Sequence, residues 1–190
     1  MATRPHPVVD CILLRIAPLF LAGAMLGTGC ASSPGKIRPT NTSVDLTRYT
    51  RCYVADAKTA ARVVVPENVL STTRERIASE LREKRTFQEV LSQPSGSAPY
   101  LRVNTTYTQY EPGSRALRFL LIGLGSADLR MQVDLTDGQT GEQLATGSVR
   151  EFWGMGGLAG VSRGIEDMQK TAIKNASNSI DKACRAKERA

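Results

Sequence analysis

The fold of this chain is decided by the stretch Tyr100–Tyr110, YLRVNTTYTQY, and by the stretch Ala127–Leu135, ADLRMQVDL. In both, apolar or large side chains alternate with polar ones, so that Leu101 and Val103, for example, share one face. Alternation with a period of two is typical of β-strands that bury one face and leave the other wetter, as antiparallel sheets do. The two stretches therefore predict neighbouring strands of one antiparallel sheet.

The remaining segments predict the partners of these strands. Asp137–Gly141 has the composition of a turn, and Gln143–Phe152 is the expected hairpin partner after it. Apolar residues at helical spacing predict a helix from a cap at Asn68 to about Lys84, and a second from about Leu158 to Lys187. Two further strands are expected at Tyr49–Ala55 and at Thr86–Leu91. We therefore expect an α+β fold, with an antiparallel sheet of about four to five strands and two helices packed on one face.

The amino terminus has the pattern of a bacterial lipoprotein signal. The basic residue Arg4 precedes an apolar run, Ile16–Leu26, and small residues lead to Cys30. This run is shorter than the roughly 20 residues of a permanent membrane span. We predict that residues 1–29 are a signal peptide and that Cys30 carries lipid. The alternatives are an ordinary secretory signal with a cysteine nearby, and a buried core helix, which Pro18 disfavours.

This interpretation divides the chain into three parts. After the signal, residues 30–47 are predicted to be a lipid anchor and a flexible tether, because Ala31–Asn41 is rich in Ser, Pro, Gly and Thr. Residues 48–190 are predicted to form a single periplasmic domain. Ala31 after Cys30 indicates sorting to the outer membrane. We therefore expect a lipid-anchored protein of the outer membrane that faces the periplasm.

The net charge of +7 falls to +6 when the leader is removed, because two arginines and one aspartate leave with it. The remaining basic residues are mixed with acidic ones, which is typical of solvated helix faces. The alternative is attraction to anionic lipid headgroups or cell-wall carboxylates. No aromatic residues interleave with the basic ones, so we expect no nucleic-acid partner.

Two cysteines remain once Cys11 is removed with the leader and Cys30 is lipidated. In an oxidising compartment, Cys52 and Cys184 are a possible disulfide, which would close a loop of about 130 residues. The alternative is two unpaired buried thiols.

Catalysis is disfavoured by the residues that the mature chain lacks. The one histidine, His6, is lost with the leader, which leaves no imidazole for nucleophilic catalysis or for zinc. Glu166 and Asp167 are adjacent on a predicted helix and point apart, so they do not form a facing acid–base pair. Gly123 and Gly125 lack the third glycine of a dinucleotide loop. We expect no enzymatic activity, no cofactor and no metal site.

An unusual segment lies between the two best strands. The continuous apolar run Phe119–Leu124 is preceded by two arginines, and residues 154–160 are also small and apolar. One interpretation is a tight turn or bulge where backbones approach closely. The other is an exposed apolar loop that meets a membrane or a partner. The candidate interaction surface consists of Arg115, Arg118, Phe119, Leu120, Leu121, Trp153 and Met155.

Four motifs occur in a fixed order along the chain. Pro-Gly-Ser-Arg-Ala-Leu-Arg-Phe at 112–119 is followed by Gly-Leu-Gly-Ser at 123–126, by an alternating strand, and by Asp-x-x-Thr-Gly at 137–141. In this arrangement, over roughly residues 98–176, the chain resembles a family of bacterial lipoproteins called domain of unknown function 4410. The resemblance implies an α+β periplasmic domain and supplies no catalytic residues. A looser likeness in layout, to domains of curli-secretion and penicillin-binding-protein-activator lipoproteins, informs the fold alone.

These observations predict a non-enzymatic envelope protein that is anchored by lipid and acts as an interaction or assembly factor. Its partner would be an envelope protein or a cell-wall component, contacted through residues 113–125 and 154–160. The alternative is a carrier for a small apolar ligand or lipid. An enclosed apolar cavity of a few hundred Å³ would favour the carrier. An exposed apolar patch would favour the interaction factor.

Overall fold

The computed structural model describes residues 31–33, 35–96, 98–120, 125–154 and 162–185. In chain order their elements are β1 (Ala31–Ser33), β2 (Arg38–Pro39), a 3-10 helix (Leu46–Arg48), β3 (Arg51–Val54), β4 (Lys58–Thr59), α1 (Glu67–Glu83), β5 (Glu89–Leu91), β6 (Leu101–Glu111), α2 (Arg115–Leu120), β7 (Ala127–Asp137), β8 (Gln143–Trp153) and α3 (Ile165–Cys184).

The strands form one mixed sheet whose centre is the long antiparallel set β6, β7 and β8. β3 and β4 lie one after the other along the free side of β6 and run parallel to it, and β5 pairs in parallel with β3. At the other edge, β1 and β2 pair antiparallel with β8.

The α+β class is confirmed, and the predicted sheet needs correction. Within the described residues it has eight strands rather than four or five, and it is mixed rather than antiparallel. The parallel part arises because β3 is connected to β5 through the helix α1, and a crossover of this kind returns the chain in the direction of the first strand. The extra edge strands have two or three residues, too few for a period-two pattern.

One face of the sheet is covered by α1 and α3, which pack against each other. The alternation in β6 and β7 directs Val103 toward this face opposite Leu135, and Tyr107 opposite Met131. All four side chains are buried. The core therefore lies between the sheet and the two helices on one of its faces, as predicted.

Both helices begin at residues that suit a helix start. α1 follows Pro66, whose fixed φ angle suits this boundary, so the predicted cap Asn68 is instead the second helical residue. α3 begins after Gly164, whose backbone N–H donates to a carboxylate oxygen of Asp167 at 3.3 Å. This places a negative charge in the first turn of α3, where the helix dipole favours it.

Residues 35–48 belong to the folded domain. The side chains of Ile37 and Leu46 are 7% and 4% exposed, and the Thr40 N–H donates to the Leu144 carbonyl at 2.8 Å. Gly147 makes this packing possible, since a Cβ there would lie 2.9 Å from the Ile37 Cα atom. The predicted flexible tether at 30–47 is therefore corrected for its described part, which packs on β8.

The helices are joined to the sheet by one buried hydroxyl group. Thr73 Oγ1 donates to the Val69 carbonyl at 2.7 Å, so its two lone pairs remain free to accept. They accept from the Tyr107 hydroxyl at 2.7 Å and from Gln169 Nε2 at 3.2 Å. Because α1, α3 and β6 each supply one of these groups, the oxygen of Thr73 sets how the three elements fit together.

We expect Tyr107→Phe to lower the free energy of unfolding by about 1–2 kcal/mol, because it leaves a buried lone pair of Thr73 without its donor. The aromatic ring and its packing are kept. The measurement is equilibrium unfolding in urea. Tyr110→Phe is the matched control, since Tyr110 packs edge-on against the ring of Tyr107 at 6.0 Å between centroids and is less buried. Equal losses in the two variants would contradict the assigned role of the Tyr107 hydroxyl.

Candidate functional site

β6 and β7 are joined by residues 112–126, of which we call residues 112–125 the excursion. Its described part, 112–120 and 125, contains the short helix α2. The helix is capped by Ser114, whose Oγ accepts from the Leu117 N–H at 3.3 Å. A turn, a bulge or an exposed loop is predicted here from the sequence. The helix is not, because six residues are too few to display helical spacing.

The base of the excursion is closed by a tight backbone contact. The Ser114 N–H donates to the Gly125 carbonyl at 3.0 Å. Gly125 has φ of 70°, and a Cβ there would lie 2.5 Å from the Ser114 carbonyl oxygen. Glycine is therefore required by both the left-handed conformation and the close approach.

A second contact joins α2 to the first turn of α3. Arg115 Nη2 lies 3.4 Å from Glu166 Oε2, and both side chains are more than half exposed. A pair this exposed adds little stability, about 1 kcal/mol at most, but it orients the helix. The excursion is therefore attached to its surroundings at Gly125 and at Arg115.

Three apolar side chains of α2 are exposed to solvent. Leu117, Phe119 and Leu120 are 46%, 51% and 70% exposed. The one other exposed large apolar residue in the described part of the chain is Val64. A group of exposed apolar side chains such as this patch often marks a contact surface. Residues 112–125 contain two arginines and no acidic residue, but Arg115 is paired with Glu166.

The excursion lies at the same end of the sheet as the beginning of the described chain. Glu111 pairs with Asp128, Asp128 with Phe152, and Phe152 with Ala31. Neighbouring strands are about 4.8 Å apart, so these three steps span about 15 Å. Cys30 itself lies outside the described residues, but it is bonded directly to Ala31. The predicted lipid attachment point is thus close to the end that carries α2.

The predicted interaction surface is brought together in part. Arg115, Phe119 and Leu120 lie on α2, as does the backbone of Arg118. Leu121 and Met155 lie outside the described residues.

Trp153 does not contribute to the exposed patch. It is 7% exposed at the end of β8, on the face that the helices cover, and the Arg163 guanidinium lies 5.1 Å from its ring centroid. Its placement on the surface is therefore corrected. Because side chains alternate along a strand, Trp153 lies on the same face of β8 as the buried Val149. This alternation could have identified Trp153 as a core residue.

Cys52 and Cys184 lie in the same buried cluster and are both free thiols in the structure. The pKa of each thiol is raised to about 12, mainly by burial, and the neighbouring Cys184 contributes to the shift of Cys52. The thiolate population near neutral pH is then very small, so both groups are unreactive in the folded state. The disulfide between them stays a prediction.

Along β7 and β8, the sheet face opposite the helices carries charged side chains. Asp128 on β7 lies 3.1 Å from Arg130 Nη2 and 2.8 Å from Arg150 Nη2. Burial raises the pKa of this carboxyl, but the hydrogen bonds from Arg150 and Arg130 outweigh it, so the pKa lies below its usual range. The carboxylate stays charged and neutralised by its neighbours, which is a structural role.

A groove of about 480 Å³ separates the entering chain from the end of α3. Ile37, Pro39 and Ala183 form its apolar walls, and Lys36 and Lys182 also line it. Across the described ranges of the chain, no group of three or more His, Cys, Asp or Glu side chains is placed to hold a metal ion. In that same part, no helix is both long and apolar enough to cross a bilayer.

The fold and the site define an α+β domain with one mixed sheet, two helices on one face and an exposed apolar excursion at one end. The family model described as Domain of unknown function (DUF4410) matches residues 33–157, and the chain belongs to this family. The match confirms the resemblance inferred from the four motifs. No curated protein gives a match to this chain.

Two solved structures align with most of this chain at low sequence identity. The PelC dodecamer from Paraburkholderia phytofirmans has a TM-score of 0.50 at 12% identity, over 77% of this chain and 96% of that chain. A Xanthomonas campestris protein matched by the DUF330 family model has a TM-score of 0.49 at 10% identity, over 79% and 94% of the two chains. The likeness to the PelC dodecamer concerns the fold alone. The Xanthomonas campestris structure is too dissimilar to support an inference.

We expect Gly125→Ala to lower the free energy of unfolding by about 2–3 kcal/mol, because it adds both left-handed strain and a clash with the Ser114 carbonyl. Gly141→Ala is the matched control, since Gly141 has φ of 75° but nothing within 4 Å of the added Cβ. It should cost about 1 kcal/mol from the backbone conformation alone. Urea unfolding measures both, and equal losses would show that the closed base of the excursion is unimportant.

Proposed function

We propose that the protein is a non-enzymatic, lipid-anchored envelope protein that acts as an interaction or assembly factor, with the excursion as its contact surface. The observation that carries the proposal is the exposure of Leu117, Phe119 and Leu120 on a helix that is attached at both sides. An apolar loop without other contacts would more readily fold back onto the domain. Here the closed base and the Arg115–Glu166 pair hold the apolar side chains in water.

The proposed location is the outer membrane, with lipid on Cys30 and the domain in the periplasm. Its support is the signal pattern of residues 1–30 together with the register of β1. Because Ala31 pairs with Phe152, the lipid would sit close to the folded domain. A short connection of this kind limits the surfaces that can meet other envelope components.

The energy available from the excursion is that of a weak contact. Full burial of a Leu or Phe side chain contributes about 1.5–3 kcal/mol. The three side chains of α2 are about half to two-thirds exposed, so each can contribute roughly half of that amount or a little more on binding. The sum, about 2–5 kcal/mol, corresponds to millimolar affinity or weaker. Such a surface suits a domain that a lipid anchor already holds beside its target.

The non-enzymatic part of the proposal rests on the mature sequence. Once His6 is removed with the leader, no imidazole remains to act as a base or a ligand. The two cysteines of the domain are buried with raised pKa values, which makes them poor nucleophiles.

A second candidate function is a carrier for a small apolar ligand or lipid, and the groove beside α3 favours it. Its volume of about 480 Å³ is within the range of small-molecule sites. Ala183→Trp would fill this groove and leave α2 unchanged, so the two functions are separable. Loss of binding of an apolar fluorescent probe in Ala183→Trp would favour the carrier.

The anchor is tested by metabolic labelling with a palmitate analogue. We expect the unaltered protein to incorporate the label and Cys30→Ala to lose it, because the acyl chains depend on that thiol. The measurement is in-gel detection of the label after membrane isolation. Unchanged labelling in Cys30→Ala would refute the anchor.

The contact surface is tested by crosslinking in cells. We expect the combined variant Leu117→Ser, Phe119→Ser, Leu120→Ser to lose crosslinked species by about tenfold or more, since it removes the apolar area that drives contact. The fold and the lipid label should remain, because these side chains lie outside the core. Val64→Ser is the matched control, an equally drastic change at a residue that is 84% exposed and not on α2. Retention of every crosslinked species in the combined variant would contradict the proposal.

A further inference from the structure

We propose that the envelope component met by the excursion is the lipid bilayer that holds the chain's own anchor, so that α2 is a second membrane contact. The inference rests on the proposed function, because it requires lipid on Cys30. It adds the chemical nature of the partner, a phospholipid surface, and a fixed orientation of the domain.

The first argument is the position of the anchor. Acyl chains on Cys30 lie in the bilayer. The Cα atom of the next residue, Ala31, is about 3.8 Å from the Cα atom of Cys30. Ala31 is in turn paired with Phe152 at the end of β8. The membrane surface must therefore lie close to this end of the sheet while β1 stays paired.

The second argument is that α2 lies at that same end. The row Glu111, Asp128, Phe152, Ala31 crosses the sheet from the strand that enters the excursion to the strand that leaves the anchor. The lateral separation along this row is about 15 Å, so a bilayer that meets Ala31 at this end of the sheet can also reach α2. A protein partner could approach the domain from any side, whereas the bilayer necessarily meets this end.

The third argument is chemical contrast between the two ends of the sheet. The anchor end carries the exposed Leu117, Phe119 and Leu120, and Arg115 on the same helix is paired with Glu166. The opposite end is formed by the turn between β7 and β8, where Gln139 and Thr140 are exposed and polar. Exposed apolar side chains suit the boundary between acyl chains and lipid headgroups. A polar turn suits the aqueous side.

The test uses the full lipidated protein in vesicles of phosphatidylethanolamine and phosphatidylglycerol that have brominated acyl chains, which quench tryptophan. Phe119→Trp replaces one exposed aromatic ring with another, so the fold should be kept. We expect roughly half or more of the added fluorescence to be quenched, because the ring enters the acyl region. Gln139→Trp is the matched control at the opposite end and should show no quenching. The unaltered protein, with Trp153 alone, supplies the background signal.

Leu120→Trp is the second reporter, in case position 119 faces along the membrane plane. If both reporters on α2 are as little quenched as position 139, the membrane contact is overturned. If these positions crosslink to a protein in cells but are unquenched in vesicles, the bilayer assignment fails while the proposed function stands. Absence of lipid on Cys30 would overturn both.

Discussion

The register of β6, β7 and β8 is the constraint on which the rest of the structure depends. It places the alternating side chains of three long strands on one common face, where α1 and α3 bury them. A shift of one residue would turn Tyr107 away from Thr73 and remove the hydroxyl contact that joins the two helices to the sheet. The same register also decides which loops and chain ends share an end of the sheet. Packing and function therefore have a common origin in strand pairing.

An irregularity in this pairing brings the end of β6 into the core. The register shifts between Tyr107 and Gln109, so that Thr108 is an extra residue opposite β7. A bulge of this kind turns the following side chains, and it allows Tyr110 to pack edge-on against Tyr107 on the helix side. The strand then leads into the excursion. Bulges often occur where a strand must change direction. Here β6 leads into α2 shortly after the bulge.

The elements that the sequence predicts well are those long enough to show a period. β6, β7, β8, α1 and α3 have between 11 and 20 residues, and their apolar positions repeat clearly. The elements that were missed have two to six residues, and their pairing depends on which longer strand is available. Of the candidate surface, Phe119 and Leu120 were predicted because an apolar run between loop residues is visible in the sequence. Trp153 was misplaced because the predicted strand ended one residue before it, which hid its parity with the core.

The attachment of the excursion explains how an apolar helix can remain in water without destabilising the domain. Both ends of the insertion enter neighbouring antiparallel strands, so the paired register is unaffected by the length of the loop between Glu111 and Ala127. The constraint is confined to the base, where Gly125 adopts a conformation that other residues rarely adopt. Glycine adopts this conformation without steric cost, so the base can close tightly while α2 keeps Leu117, Phe119 and Leu120 exposed.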